Sequence, residues 1–424
     1  MDQRSVYVVG GQRTPFVKSM TVFNDKSNQE LMTATLVALI KQYGLNNQVV
    51  GDVAIGATIQ NSLDWDFARE CVLGSGLHPY TPAYTVQRAC GSGLETTWQI
   101  ALKIAAGQID SGIAGGVDTN SDLPMMLSRA TAHKLLLLRF AKNALAKAKR
   151  AARFRCADLK IRTPDVREPR TGLSMGEHCE KMVKEWQINQ VEQDQLALIS
   201  HQHADQAYKE GFYDDLIFEY CGIKKDTILR ADTSLEKLAK LKPAFDFTGT
   251  GTLTAGNSTP LTDGASAVLL ASADEMQRQH WQPQARFVDA QVAAIDFVHG
   301  DGLLMAPTLA VAKLINRNGL SLQDFDFYEI HEAFSGQVLC TLKAWESTEY
   351  CQRVLKLDKP LGAIDRNKLN IKGGSVALGH PFAATGARIV AGLAKLLKQS
   401  GKGRGLISIC TAGGMGVAAI LEAV

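Results

Sequence analysis

The sequence has little of several features that define other classes of protein. Its 424 residues include only eight cysteines and no Cys-x-x-Cys pair, which argues against a disulfide scaffold or a zinc module and favours a reducing compartment. No uninterrupted apolar run approaches the roughly 18 residues of a membrane span. The 46 Lys and Arg residues are nearly balanced by 43 Asp and Glu residues, so the chain as a whole is not predicted to bind nucleic acid.

Signals at the N-terminus and for nucleotide binding are also missing. A strand-like run, Val6–Val9, begins almost at once and leaves no space for a signal or transit peptide, so we expect a cytoplasmic protein. There is no Walker loop and no G-x-G-x-x-G after a predicted strand, which argues against a nucleotide-binding fold. The length predicts two or three domains, and a hydrophobic content of 46% with 21% charged residues is typical of a globular protein.

Short β-branched runs alternate with segments of helical period, which is the pattern of an α/β protein with buried strands. The predicted strands are Val6–Val9, Val53–Gly56, Ile113–Gly116, Ala267–Leu270, Phe287–Ala294, Phe327–His331 and Leu406–Cys410. The predicted helices include Gln29–Tyr43, Gly93–Ala106, Thr308–Asn316 and Thr385–Ser400. Gly44 and Gly401 follow the first and last of these helices, where glycine commonly ends a helix.

Two stretches share one arrangement that suggests an internal duplication. In the first half, CGSG at 90–93 opens a predicted helix that leads through Gly107 to a strand. In the second half, GHP at 379–381 opens a helix that leads through Gly401 to the strand ending at Cys410. Each half would then place a reactive side chain at a helix start, although two unrelated α/β units would give the same pattern.

The segment Pro124–Arg170 differs from the rest of the chain in charge. It has 13 Lys or Arg against 3 Asp or Glu, a net charge of +10, whereas the remainder has 33 against 40, a net charge of −7. One apolar helical stripe with cations beside it is predicted here, formed by Leu138, Ala141, Leu145, Ala148 and Ala152 and flanked by Lys142, Lys149, Arg150 and Arg153. The segment is either a solvated helix packed on the body or a basic amphipathic surface that meets an anionic membrane or a partner protein.

Two reactive side chains precede predicted helices in glycine-rich surroundings. Cys90 lies in VQRACGSGLE, where the free N–H groups and positive dipole of a helix start are expected to lower the pKa of its thiol. His380 lies in GGSVALGHPFAATGA and could accept the Cys90 proton, leaving an imidazolium beside a thiolate. Taken singly, a buried Cys is often a small hydrophobic residue and a lone His is often structural.

Two predicted strand ends offer further candidates. His331, followed by Glu332, ends a strand in YEIHEAFSG, a common place for site residues and equally for capping residues. Cys410 ends a strand in LISICTAGGMG, where a second thiol could be a general acid and base and the glycines permit an oxyanion-binding turn. His201 and His203 are two apart on a helix predicted to be exposed, so they cannot bind one metal ion. The other cysteines are interpreted as packing residues: Cys71, Cys156, Cys179, Cys221, Cys340 and Cys351.

Taken together, four blocks resemble the signature blocks of the thiolase family, in that family's order and spacing. They are Cys90-Gly-Ser-Gly, His331-Glu-Ala-Phe, Gly379-His380-Pro381 and Cys410-Thr-Ala-Gly-Gly-Met-Gly. The opening VYVVGGQRTPF and the block Leu253–Ser266 also match, so the resemblance covers nearly the whole chain. The segment 124–170, HEAF and NSTPLTDGA look most like the bacterial fatty-acid-oxidation subgroup, whose members are β subunits of a trifunctional complex.

The resemblance implies an α/β fold of the duplicated thiolase type, with five layers in the order α-β-α-β-α and an inserted loop domain. The N-terminal half would comprise 1–120 and 249–280, the insert 121–248, and the C-terminal half 281–424. The implied function is that of a 3-ketoacyl-CoA thiolase (acetyl-CoA C-acyltransferase) of fatty acid β-oxidation. Such an enzyme cleaves 3-ketoacyl-CoA with CoA to acetyl-CoA and a shortened acyl-CoA.

The resemblance also implies roles for site residues. Cys90 would attack the 3-keto carbon while His380 takes its proton, and Cys410 would protonate the leaving enolate and then deprotonate the incoming CoA. His331, acting through a water, would form one oxyanion hole with His380. The backbone N–H groups of Cys90 and Ala412 would form a second, with Ala412 standing where many members have glycine.

CoA is implied as a substrate, with no permanently bound cofactor and no metal. Its implied contacts are Asn257, Ser258 and Thr259. The implied partners are a second copy of the chain, in a homodimer or dimer of dimers, a hydratase/dehydrogenase α subunit, and a membrane surface met through 124–170. Nucleic acid is not among them.

Three alternatives are weighed against this function. A biosynthetic acetoacetyl-CoA thiolase would keep all four blocks and differ in acyl length. A ketoacyl synthase relative would lack the second catalytic cysteine, so Cys410 argues against it. A non-catalytic scaffold or membrane-anchoring subunit belongs to another class, and the intact Cys90, His380 and Cys410 argue against that.

Overall fold

The structure is a computed structural model that describes residues 4–164 and 166–424. Its strands are β1 (Val6–Arg13), β2 (Val17–Lys18), β3 (Asp52–Ala57), β4 (Ala83–Val86), β5 (Ser111–Asp118), β6 (Met126–Leu127), β7 (Ile161–Arg162), β8 (Thr262–Ser272), β9 (Ala285–Ala294), β10 (Phe327–Ile330), β11 (Arg404–Thr411) and β12 (Met415–Glu422). Its helices are α1 (Asn28–Tyr43), α2 (Phe67–Ser75), α3 (Ser92–Ala105), α4 (Arg129–Arg139), α5 (Ala144–Ala151), α6 (Met175–Glu185), α7 (Gln190–Lys209), α8 (Leu235–Leu238), α9 (Ala273–Gln279), α10 (Ala306–Arg317), α11 (Ser335–Glu346), α12 (Thr348–Tyr350), α13 (Ser375–Leu378) and α14 (Ala384–Ser400). The seven predicted strands and the four helices predicted outside the segment 124–170 are present, with ends that differ by a few residues.

Helix α1 shows how the local sequence sets the ends of an element. The Ser27 side chain accepts a hydrogen bond from the Glu30 N–H, and the Glu30 carboxylate accepts one from the Ser27 N–H, which is a capping box. Gly44 ends the helix in the left-handed region with φ of 68° and donates its N–H to Ile40. Glycine adopts this conformation at no steric cost, so the expected stop is confirmed.

The sheet repeats one pattern of strand pairing on either side of its centre. Its order is β10-β11-β12-β9-β1-β8-β5-β3-β4, with β2 paired to β8. From β1 outward through β8, β5 and β3, two antiparallel pairings are followed by a parallel one. From β9 outward through β12, β11 and β10, the same three pairings recur, and β1 and β9 join the halves. This repeated order confirms the duplicated fold.

Helices fill the layers around and between the two halves of the sheet. Helices α3 and α14 lie in the middle, where residues such as Leu94 and Leu393 share one apolar cluster with strands of both halves. Helices α1 and α2 cover the outer face of the N-terminal half, and α10 and α11 cover that of the C-terminal half. Each fully buried leucine contributes roughly 1.5–3 kcal/mol to folding. The layers therefore follow the order α-β-α-β-α.

The two central helices touch at glycines near their N-termini. A Cβ atom added to Gly386 in α14 would overlap the backbone of Leu94, and one added to Gly93 in α3 would overlap the backbone at Ala383. No other residue type fits this approach without moving a helix. Because Cys90 and His380 lie just before these helices, the crossing brings the two candidate residues together.

Residues 119–261 connect β5 to β8, two neighbouring strands of the sheet, and include α4–α8. A buried ion pair fixes this region to the body, since Arg13 of β1 binds both carboxylate oxygens of Asp226 at 2.6 Å and Tyr208 donates to the same carboxylate. In the described residues, no helix is long and apolar enough to cross a membrane.

The predicted single stripe at 138–152 is wrong in one respect, because the segment forms two helices, α4 and α5. The chain leaves the helix after Arg139, and the Asn143 side chain caps the new helix by accepting from the Ala146 N–H. Leu145, Ala148 and Ala152 are exposed, so this part of the stripe is not packed on the body.

Two further expectations are corrected. Helix α7 is not exposed at His201, which is buried and accepts a hydrogen bond from the Arg230 N–H, because α11 and α13 pack against this helix. His203 instead faces the backbone carbonyl of Asn370, at 3.0 Å from its Nδ1. Of the six cysteines interpreted as packing residues, four are buried, whereas Cys156 and Cys221 are exposed and pack in no core.

Candidate active site

Cys90 lies on a tight turn between β4 and α3. Ala89 has φ of 43°, a left-handed conformation that costs energy for a residue with a side chain and persists only where the surroundings enforce it. The Ser92 hydroxyl spans the turn, accepting the Arg88 N–H at 2.8 Å and donating to the Ala89 carbonyl at 2.7 Å. The turn holds the half-buried Cys90 at the start of α3.

His380 is placed by the turn that precedes α14. Gly379 has φ of 102°, which is open to glycine, and the His380 N–H donates to the Thr262 hydroxyl of β8 at 2.8 Å. The ring nitrogen Nδ1 lies 2.6 Å from the Thr385 hydroxyl in the first turn of α14. The ring is therefore held from one side, and its buried Nε2 has no hydrogen-bond partner among residues 4–164 and 166–424.

His331 follows β10 and approaches the same point from the C-terminal half. Its N–H donates to the Ser408 carbonyl of β11, and its Nδ1 lies 2.8 Å from the Ser375 hydroxyl. Its Nε2 is also buried and without a partner. The neighbouring Glu332 carboxylate points elsewhere and accepts hydrogen bonds from Ser200, Asn370 and the Val376 N–H.

The three side chains converge. The Cys90 Sγ and one ring nitrogen each of His331 and His380 lie within 4.8 Å of one another, and the two imidazole centres are 4.1 Å apart. The two imidazole rings and the thiol therefore meet at one point of the site. Geometrically the cluster could also hold a metal ion.

The electrostatics of the resting pair differ from the sequence-based expectation. Burial raises the pKa of the Cys90 thiol to about 12, and the N–H groups of Ala412 and of Cys90 itself oppose this only in part. Burial, and then the charge of Arg388, lower the pKa of His380 to about 3. The expected lowering at the helix start is thus outweighed by desolvation, and the resting pair is a neutral thiol beside a neutral imidazole.

Cys410 lies at the end of β11, close enough to Cys90 for their charges to interact. It is buried, and burial followed by the charge of Cys90 raises its pKa well above that of a free thiol. Strand β11 packs closely against the turn that holds Cys90, because a Cβ atom added to Gly91 would lie 3.0 Å from the side chain of Thr411. Both predicted thiols therefore belong to one site.

The turn after Cys410 is held in place by a hydrogen bond to Glu168, a residue of the predicted insert. Gly413 and Gly414 have φ of 74° and 67°, and the Gly413 N–H donates to the Glu168 carboxylate at 2.7 Å. This contact leaves the N–H of the preceding Ala412 directed at the Cys90 thiol, where it lowers the pKa. A charged acceptor makes such a hydrogen bond stronger than a neutral one.

Sequence reasoning missed four residues that support the site. Glu168 is one of only three acidic residues in the basic segment 124–170, and this feature of the sequence could have marked it as a site residue. Ser375 and Thr385 lie within the segment GGSVALGHPFAATGA and Arg388 directly follows it, but the contacts of Ser375 and Thr385 with the two histidines, and of Arg388 with Ser375, depend on tertiary packing.

The three predicted CoA contacts bond mainly to the protein itself. Asn257 is buried and binds Asp194 and the backbone of residues 252 and 254. The Thr259 hydroxyl donates to the Glu332 carbonyl, and its N–H donates to Ala333. Ser258 pairs with Phe334 as an isolated bridge. These residues hold the HEAF segment in place, and their contact with CoA stays a prediction.

A half-buried thiol at a helix start, two imidazoles and a second thiol have the arrangement of an acyltransferase that works through cysteine. Comparison with known proteins agrees. Residues 6–274 match the family model described as thiolase, N-terminal domain, and residues 281–423 match that described as thiolase, C-terminal domain. The chain belongs to the thiolase family.

Individual relatives are similar over the full length. A 3-ketoacyl-CoA thiolase of Shewanella sp. (strain W3-18-1) is 38% identical over 98% of this chain and 96% of that protein. The crystal structure of the Bacillus anthracis acetyl-CoA acetyltransferase has a TM-score of 0.83 and 31% identity, with complete coverage of both chains. Human mitochondrial 3-ketoacyl-CoA thiolase in complex with CoA has a TM-score of 0.82 and 29% identity, covering 99% of this chain and 98% of that one.

Proposed function

We propose that this protein is a 3-ketoacyl-CoA thiolase that acts in fatty acid β-oxidation and transfers an acyl group through Cys90 to CoA. The observation that carries the proposal is the convergence of Cys90, His331 and His380 with Cys410 beside them. Cleavage of a β-dicarbonyl compound needs a nucleophile, a separate acid and base, and donors for two oxygens. The site offers a residue for each of these roles.

In the first half-reaction, the Cys90 proton moves to His380 Nε2 and the sulfur attacks the 3-keto carbon. The bond between C2 and C3 of the substrate then breaks, and the acetyl-CoA enolate takes a proton from Cys410. This leaves acyl-Cys90, a protonated His380 and a Cys410 thiolate. Because the resting pair is neutral, the proton transfer accompanies substrate binding and attack.

In the second half-reaction, the Cys410 thiolate takes the proton of CoA and the CoA sulfur attacks the acyl-Cys90 thioester. Cys90 leaves and recovers its proton from His380, so protons balance over the cycle. His331, through a water, and His380 would donate to the oxygen of one thioester. The N–H groups of Cys90 and Ala412 would donate to the other oxyanion.

CoA is proposed as a substrate that enters along the insert, with no permanently bound cofactor. Ser258 and Thr259 are proposed to border its path, and their contacts with the HEAF segment next to His331 support this. We also propose the division into 1–120 with 249–280, an insert at 121–248, and 281–424. The equivalent strand orders of the two halves support that division.

The roles of the two thiols are tested by exposing variants to an acyl-CoA and measuring the protein mass. Cys90→Ala should form no acyl adduct and should not turn over. Cys410→Ala should be acylated slowly at Cys90 and should not complete the cycle. An adduct on Cys90→Ala would refute the nucleophile, and near-normal cleavage by Cys410→Ala would refute the acid and base.

The likeness to an acetyl-CoA acetyltransferase structure keeps a biosynthetic acetoacetyl-CoA thiolase as the second candidate. A thiolysis assay from acetoacetyl-CoA to long 3-ketoacyl-CoA separates the two. A kcat/KM that rises with acyl length supports the degradative enzyme. Activity confined to acetoacetyl-CoA would overturn that assignment, and no activity at any length would return the chain to the scaffold alternative.

We further propose a cytoplasmic protein that forms a homodimer or dimer of dimers, binds a hydratase/dehydrogenase α subunit, and contacts a membrane peripherally. The edge strand β4 pairs only with β3 in the described structure, which leaves a sheet edge for a second copy. In α4, α5 and the link between them, exposed apolar residues lie among exposed cations, a combination suited to an anionic membrane surface: Leu135, Leu136, Leu137, Phe140, Leu145, Arg139, Lys142 and Lys149. Light scattering and co-purification test the assembly.

A further inference from the structure

We propose that Ser375 and Arg388 are positioning residues that hold His331 as the tautomer with its proton on Nε2. This N–H then donates, through a water, towards the oxygen that becomes negative during the reaction. The inference rests on the proposed function, because it concerns the donor role of His331. It starts from two linked hydrogen bonds, in which Arg388 Nη2 lies 2.7 Å from Ser375 Oγ and that oxygen lies 2.8 Å from His331 Nδ1.

The direction of each hydrogen bond follows from the chemistry of the groups. A guanidinium has donors and no acceptor, so Arg388 can only donate to Ser375. The Ser375 hydroxyl has one hydrogen, and in the described part of the chain His331 Nδ1 is the acceptor found within its reach. Ser375 is fully buried, so an O–H without an acceptor would cost about 1–3 kcal/mol. The hydroxyl therefore donates to Nδ1, and the proton of the neutral ring lies on Nε2.

The charge that anchors this relay is only partly compensated. Arg388 is buried in α14, where burial lowers the pKa of its guanidinium and the nearby carboxyl groups of Glu329 and Glu332 oppose that shift in part. Burial, and then the nearby His380 and Arg388, lower the pKa of His331 well below its usual value. His331 is therefore a neutral ring whose Nε2–H donates.

The proton on His331 Nε2 determines whether the cluster of Cys90, His331 and His380 is suited to a metal ion or to a substrate oxygen. The spacing of Cys90, His331 and His380 would suit a metal ion, but a protonated Nε2 has no lone pair for a cation. The unpartnered Nε2 of His331 is instead suited to an oxygen acceptor.

The second histidine has a different hydroxyl partner. His380 Nδ1 lies 2.6 Å from Thr385 Oγ1, and in the described residues no guanidinium donates to that hydroxyl. Thr385 is therefore free to accept from an Nδ1–H, which leaves His380 Nε2 bare as a base towards Cys90. The two rings, 4.1 Å apart, thus present opposite functions to the same point.

The tautomer is tested by nitrogen NMR on the intact protein labelled with ¹⁵N-histidine, with the His331 signals assigned from their loss in His331→Asn. We expect a bare Nδ1 and a protonated Nε2 on His331 between about pH 6 and 9. A proton on Nδ1 of His331 would overturn the proposal. Because no substrate is present, this result is independent of whether the protein is a thiolase.

The kinetic test compares Ser375→Ala with Ser335→Ala, a second fully buried serine whose hydroxyl has no partner. Ser375→Ala should lower kcat for thiolysis about tenfold or more with little change in the KM for CoA. The reason is that His331 loses the hydrogen bond at Nδ1 that keeps its Nε2–H in place as a donor. This variant should also remove the hydrogen-bond shift of His331 Nδ1. Ser335→Ala should change neither. Equal kcat values for the two variants would overturn the relay.

Discussion

The centre of the molecule, around Cys90 and His380, and the hairpin formed by helices α4 and α5 place their functional groups by opposite means. At the centre, the half-buried Cys90 and the buried His380 lie in turns whose position is dictated by glycines that touch across two helices. In the hairpin, cations and leucines lie on exposed helix faces that few described residues contact. A short motif can therefore be fixed by packing, whereas a longer one can be left open to a partner.

The largest expected effect concerns the ionisation of the central thiol. Since burial raises the pKa of Cys90 to about 12, the thiolate fraction should rise tenfold per pH unit below that value. Alkylation of Cys90 by iodoacetamide should therefore speed up by about a thousandfold between about pH 6 and 9. Peptide mass spectrometry measures how much of Cys90 is alkylated. The exposed Cys156, which follows α5, is the control that shows how the reagent reacts with an accessible thiol. A rate that is already flat near pH 6 would indicate a resting thiolate–imidazolium pair.

The next effect breaks the central contact directly. Gly386→Ala would push a Cβ into the backbone of Leu94, and the strain should cost about 1–3 kcal/mol of stability and displace Cys90 from His380. A displacement of about 1 Å can lower activity about a hundredfold. Gly392→Ala is the matched control in the same helix, because its Cβ would meet nothing within 4 Å. The control should keep full activity and melt at the same or a higher temperature, since alanine favours helices.

If both glycine variants behaved alike, the crossing of α3 and α14 would have no special role. Thermal unfolding and thiolysis should be measured together, because a loss of activity in proportion to unfolded protein would also contradict the positional argument.

The fold, and which side chains gather at the candidate site, could be predicted from the sequence because short local patterns carry both, whereas the roles of these side chains stay predictions. The family, the fold class and the enzyme class are confirmed. The thiol pKa was mispredicted since a helix start is visible in the sequence and desolvation is not. The break at Asn143 was missed because the apolar period continues through a residue that also caps a helix. Arg388 and Ser375 reach His331 only in the folded chain.

A smaller effect is expected where the insert meets the centre. Glu168→Ala removes the charged acceptor of the Gly413 N–H and should lower kcat about tenfold, because such a hydrogen bond contributes about 1.5–3 kcal/mol. The Glu168 charge also raises the pKa of Cys90, so the same variant should be alkylated faster. Glu168→Gln keeps an acceptor and should retain more activity. Slower alkylation of Glu168→Ala would contradict the placement of this charge beside Cys90.

The smallest effect on chemistry is expected in the hairpin. Neutralising Lys142, Lys147, Lys149 and Arg153 to Gln should leave thiolysis of acetoacetyl-CoA unchanged, because these side chains are exposed and their described hydrogen bonds involve no residue of the candidate site. The same change should weaken pelleting with phosphatidylserine vesicles by about 1 kcal/mol per cation removed. An equal number of exposed cations on the C-terminal half provides the control: Lys356, Lys359, Lys398 and Lys402. Equal loss of vesicle binding in both sets would mean that net charge, and not the hairpin surface, determines the contact.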